Sequence, residues 1–254
     1  MNAASGITLT SASSAAMPEA DRNTALLDSL RRLVRGLAAL FWGLPATLVI
    51  AVQIAKGEWL RFGFVPIVGA MALLLYGILL LGGFQTQERV WTRALERARF
   101  AAIANVGLSP FLYFWSKMPG NLFFTITVEV MFLTMLVFLF LLNSVLARLA
   151  AMLPDETLRG ETKLFTRLNQ TILLIIIPTL PFYIVLRGAN TLPRVVVDVL
   201  LFLERGGAML ELMLLMFFVL LPVAMTMALL WKTKEVIMAG VFSSLHGETP
   251  EQKN

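Results

Sequence analysis

The sequence predicts an all-α fold: a polytopic transmembrane bundle of six spans (alternatively five), with short amphipathic helices at the interface. Three observations carry that expectation. Of 254 residues, 58% are hydrophobic and only 15% charged, whereas a soluble domain is roughly a quarter charged. Mean hydropathy is accordingly high, at +0.79. The apolar residues also stand in long blocks, and a helix needs about 20 of them to cross hydrocarbon. Finally, backbone polar groups in lipid must be satisfied internally, which permits only helices or closed barrels. Runs without period-2 alternation choose helices.

Taken in order, residues 1–22 begin MNAASGITLTSASSAAMPEA, polar and without an apolar core segment. They read as a disordered tail rather than a signal peptide. Leu26, Leu27, Leu30, Leu33, Val34 and Leu37 then recur at helical spacing, with Arg31, Arg32 and Arg35 on the other side. That pattern is a basic amphipathic helix at the membrane surface. The first two spans, about 36–55 and 62–84, contain no charge. A second basic amphipathic helix follows in ERVWTRALERAR, where Val90, Trp91, Ala94, Leu95 and Ala98 form the stripe beside Arg89, Arg93 and Arg97.

Residues 100–115, FAAIANVGLSPFLYFW, decide the topology because they are apolar but short. If they cross, fifteen of the 21 Lys and Arg fall on the N-terminal side of the membrane and six opposite; if not, the split is twelve to nine. The more asymmetric count is what the positive-inside rule requires, with both termini cytoplasmic. Extended to 98–118, the segment would measure roughly 32 Å as a helix. Pro110 should kink it. Ala102, Asn105, Ser109, Tyr113 and Ser116 share one face, while Phe100, Ile103, Phe111 and Phe114 lie largely elsewhere. The small, hydrogen-bonding face should pack on protein and the aromatic one should not. An interfacial or re-entrant helix is the alternative, and gives five spans.

The fourth span covers 122–147. Pro154 and Asp155 suit the start of another helix, leading into the fifth span at 168–186, where Pro178 and Pro181 predict a kink. TLPRVVVDVLLFLERGG reads as an interfacial helix hinged at Gly206 and Gly207. The sixth span is 207–231; from Lys232 a short helix leaves the membrane, and 246–254 form a polar tail. The membrane domain is therefore 23–245. A three-plus-three inverted duplication fits the span count but not the residues.

Ionisable groups inside spans are the default functional candidates, since burying a charge in lipid is costly. Glu129 lies two turns inside its span, in a row with Asn121 and Thr125, and the same face reaches Asn143. Glu211 is one turn inside the last span; Tyr183 and Arg187 are one turn apart above Thr179. Six spans put Glu129, Tyr183, Arg187 and Glu211 in the outer half of one bundle, able to bind a headgroup, ion or proton, or to fix packing.

Other chemistry is poorly supplied. There are no cysteines, which removes disulfides, thiolate metal sites and cysteine nucleophiles, and His246 is the single histidine. No metal, cofactor or catalytic residue is assigned: HExxH, GxSxG and phosphate-loop motifs are all missing. Methionines and phenylalanines read as packing filler. The net charge of +5 reads as a topology signal, not as nucleic-acid binding. The expectation is a non-catalytic accessory or scaffold subunit of the cell inner (plasma) membrane. Its cytoplasmic basic surface (Arg31, Arg32, Arg35, Arg89, Arg93, Arg97) would dock a protein partner, a second copy or anionic lipid headgroups. A small transporter or channel using the outer polar cluster is the alternative.

Overall fold

Nothing between Leu26 and Gly36 interrupts helical hydrogen bonding, and the computed structural model accordingly joins the first basic segment to the first span. It describes residues 19–57, 60–83, 89–152, 156–188 and 207–246. Helix α1 runs Glu19–Ala55 through Pro45; at 1.5 Å per residue it is about 55 Å long. It ends at Gly57, whose φ of 82° is left-handed and whose N–H donates to the Ile54 carbonyl at 2.9 Å. Only glycine adopts that conformation without steric cost.

Helix α2, Val65–Leu81, carries a proline in its first turn, where the missing N–H costs nothing. The second basic segment likewise fuses with the first half of 100–115 into α3, Arg89–Leu108, and α4, Pro110–Lys117, continues beyond a break at Ser109. Pro110 has no N–H for the carbonyl four residues back, that of Val106. The Ser109 hydroxyl donates to that carbonyl at 2.8 Å instead.

Helix α5 is Leu122–Met152, α6 Glu156–Gly188 and α7 Gly207–His246. Among the described residues all regular structure is helical. As expected of the fifth span, Pro178 and Pro181 sit inside α6 without ending it; the helix expected from Lys232 is not a separate one, since α7 continues past Lys232 to His246. The tail is helical from Glu19. Residues 1–18, the expected interfacial helix up to 206, and 247–254 lie outside the described residues.

The helices form a closed ring in the order α1, α2, α3, α5, α6, α7, with α7 returning to α1 and α4 lying on α5 and α1. Helices α1 and α2 are antiparallel: Gly36 packs against Leu81, and Gly43 against Leu74. Along α5 the register also runs antiparallel, for Arg148 reaches Val90, the Thr134 carbonyl meets Asn105, and Phe123 meets Phe111. Residues 89–117 therefore travel the length of α5 beside it. That helix and Asp28–Ala55 of α1 are the two in the described structure that are long and apolar enough to cross a membrane; α2 is apolar but shorter.

Large apolar side chains lie on the outside of the ring, and several amides and hydroxyls lie within it. Phe100 is 76% exposed, Trp42 67% and Leu174 64%, while Asn143, Asn169, Ser109 and Thr226 are each at 0%. The expected face of 100–115 is observed as far as Ser109, with Ala102, Asn105 and Ser109 buried and Phe100, Ile103 and Phe114 exposed, while Phe111, Tyr113 and Ser116 are all half-buried. Leucines still fill the ring between these groups, with Leu33, Leu37 and Leu40 of α1 wholly buried.

Candidate functional site

Helix register gathers the basic residues at one end. The Arg32 side chain reaches Gly83 and Gly82 packs on Leu95, which sets Arg31, Arg32 and Arg35 of α1 level with the start of α3. There Arg89, Arg93 and Arg97 are exposed, and Arg148 of α5 donates from Nη1 to the Val90 carbonyl at 2.8 Å. Gln170 of α6 donates to the Ser144 hydroxyl at 2.7 Å, so Lys163 and Arg167 project toward the same end. Trp231 meets Phe41 with ring centroids 5.5 Å apart, which brings Lys232 and Lys234 there too. At the other end the described basic residues are Lys56, Arg61 and Lys117. Both ends carry cations beside aromatic rings, Arg61 at 4.7 Å from the Phe62 centroid and Lys234 at 5.5 Å from that of Trp231. Aromatic rings with neighbouring cations are typical of membrane–water boundaries.

Within the basic end, a groove lies between α3 and α5. One part, of about 280 Å³, is lined by Arg93, Arg97 and Arg148 with Val90, Ala94 and Phe140. The next, of about 530 Å³, shares Arg93 and Arg97 and continues over Phe100, Ala101, Ala104, Val137 and Leu141, with Glu96 at its side. Small alanines on α3 create the hollow. Its polar wall residues are already engaged: Ser144 donates to the Phe140 carbonyl at 3.1 Å, and the Thr134 hydroxyl donates back to the Val130 carbonyl. The guanidinium N–H groups are what the groove offers to a ligand.

A separate polar node sits inside the ring. Thr226 of α7 accepts from Asn143 Nδ2 of α5 at 2.9 Å and from Asn169 Nδ2 of α6 at 3.0 Å, and donates to the Pro222 carbonyl at 2.7 Å. The second N–H of Asn143 goes to the Leu139 carbonyl at 2.8 Å and that of Asn169 to the Pro222 carbonyl at 3.2 Å. All five donors are thus used, and turning either amide over would set oxygen against carbonyl oxygen. The node pins three helices together. Sequence reading reached Asn143 but missed Asn169 and Thr226, although an amide and a hydroxyl inside apolar runs were the available signal.

Of the predicted outer cluster, Glu129 is half-buried on α5 and pairs with no other described residue. The side chains of Tyr183, Arg187 and Glu211 lie outside the described residues, although their backbones belong to α6 and α7. The predicted basic surface, by contrast, comes together with an addition, Arg148, that spacing along one helix had no means of revealing. Among the described residues no three His, Cys, Asp or Glu side chains converge as a metal site requires. Comparison with protein-family models, curated proteins and solved structures finds no match to the chain.

Proposed function

We propose that the protein is a six-span integral membrane subunit of the cell inner membrane, both termini cytoplasmic, that works as a non-catalytic scaffold. Its basic end is the docking surface, and a protein partner, a second copy and anionic lipid are what it would dock. The observation that carries this reading is the exposed apolar surface over buried polar groups, with Phe100 facing outward while Asn105, at 2% exposure, faces the ring. Apolar surface outside and hydrogen-bonded amides inside suit hydrocarbon as the solvent. The antiparallel alignment of 89–117 with α5 supports a crossing by 98–118, because a helix lying beside a spanning helix over its whole length spans with it. The gathered arginines support a cytoplasmic assignment for that end. Glu129, Tyr183, Arg187 and Glu211 belong in this reading to the opposite half, as packing or headgroup contacts.

The test replaces Arg31, Arg32, Arg35, Arg89, Arg93 and Arg97 with Gln and isolates wild type and variant from native membranes in lipid discs. The variant should remain inserted and helical yet lose its anionic lipid enrichment and any stoichiometric partner, the difference narrowing at high salt. Identical co-isolated lipids and proteins at every salt concentration would remove docking from the basic end.

A further inference from the structure

We infer that the α3–α5 groove is a site for one anionic phospholipid, its phosphate held among Arg93, Arg97 and Arg148 and an acyl chain lying along Phe100, Ala104 and Val137. The inference rests on the membrane reading above. Its first support is continuity: the about 280 Å³ and about 530 Å³ hollows share Arg93, Arg97 and Leu141 and so form one trough. Along α5 the trough extends from Arg148 to Thr134, and along α3 from Val90 to Ala104. At 1.5 Å per residue each wall is about 21 Å long. Polarity falls along that length, from guanidinium groups at the bundle end to phenyl, methyl and isopropyl groups toward its middle, where the Thr134 hydroxyl is bonded back to the Val130 carbonyl. A lipid in the adjacent leaflet has the same polarity in the same direction.

The charges and donors fit a phosphate. Three guanidinium groups face one carboxylate, that of Glu96, which leaves an excess of positive charge. Arg93 and Arg97 make no hydrogen bond to a described residue, and Arg148 commits an Nη1–H to Val90; arginine has five such donors. Planar guanidinium pairs suit phosphate oxygens. The positive end of the α3 macrodipole lies at the same place, since Val90 is in its first turn, and adds to the attraction. The apolar part accounts for why the ligand is a lipid rather than a free anion: a phosphate alone has no use for the trough beyond Arg97.

The test uses the full chain in phosphatidylcholine discs titrated with phosphatidylglycerol, with lipids retained after mild delipidation counted by native mass spectrometry. One phosphatidylglycerol per chain should be retained in preference to phosphatidylcholine. Arg97→Gln, at an exposed position, should weaken retention about fivefold, the effect of one basic residue near an anionic surface; Arg148→Gln should weaken it at least as much, and Arg148→Lys less. Ala104→Trp keeps every arginine but fills the trough, and should reduce retention at least tenfold. Millimolar inorganic phosphate should not displace the lipid. Equal retention of both lipids, full retention in Ala104→Trp, displacement by phosphate, or a crosslink from position 104 to a protein partner would each overturn the lipid site. Failure of the membrane reading is distinguishable, since alkaline carbonate would then strip the chain from membranes before any lipid is counted.

Discussion

Gly36 and Gly77 face each other across the α1–α2 contact. A Cβ built on Gly36 would lie 2.9 Å from the Gly77 carbonyl oxygen, and one built on Gly77 would lie 3.0 Å from that of Gly36. Leu81 and Leu40 close over the same points. Small residues that let backbones approach are how helices associate where lipid competes with every leucine. Gly36→Val should therefore destabilise the bundle by about 1–3 kcal/mol, the usual cost of overpacking. On α2 itself Gly69 has nothing within 4 Å of its Cβ position, so Gly69→Ala should be neutral or slightly stabilising. Unfolding of the purified protein in mixed micelles compares the two; equal losses would contradict the close approach.

The Ser109 hydroxyl and Pro110 form a compensated pair, the hydroxyl serving the Val106 carbonyl at 2.8 Å. Ser109→Ala alone should cost about 1 kcal/mol, since a part-buried carbonyl is left without a donor. Pro110→Ala restores the backbone N–H, so the double variant should be less destabilised than the sum of the single variants predicts. A double-mutant cycle with no coupling energy would show that the hydroxyl does not serve the proline break.

Thr226 is the acceptor on which Asn143 and Asn169 converge, at 2.9 and 3.0 Å. Thr226→Val should strand an N–H on each amide and cost about 1–3 kcal/mol, toward the low end if the unfolded chain finds other partners in the membrane. Thr226→Ser keeps the hydroxyl and should lose much less. Similar losses in both variants, measured by the same unfolding assay, would assign the effect to the methyl group and not to the node.

The proposed six-span arrangement is checked with single cysteines, which the chain otherwise lacks. Cysteine placed at Ser116, in the last turn of α4, and at Gly247 should react with impermeant maleimide from opposite sides of sealed cells. Six spans put Ser116 outside and Gly247 inside; labelling of Gly247 in intact cells with Ser116 protected would return 98–118 to the re-entrant alternative and the chain to five spans.

Local pattern determined the class of this protein, because hydropathy blocks and helical periodicity are properties of contiguous residues. The helices of the described residues, the amphipathic stripe of Trp91, Leu95 and Ala98, the inward face of Asn105 and Ser109 and the discontinuity at Pro110 all follow from it. Where helices end was less legible: hydropathy marks where charge begins, but α1 and α7 continue through charged turns because nothing there stops backbone hydrogen bonding. Tertiary structure alone decided which residues meet. Arg148 is 51 positions beyond Arg97, yet both line one hollow because α3 and α5 are antiparallel. Asn143, Asn169 and Thr226 each look like an isolated polar interruption in its own apolar run, and only the closing of α5, α6 and α7 against one another makes a single hydrogen-bonded node of them. Periodicity gives each helix its face; the crossing and register of two helices, set by packing over residues such as Gly36 and Gly77, determine what that face touches.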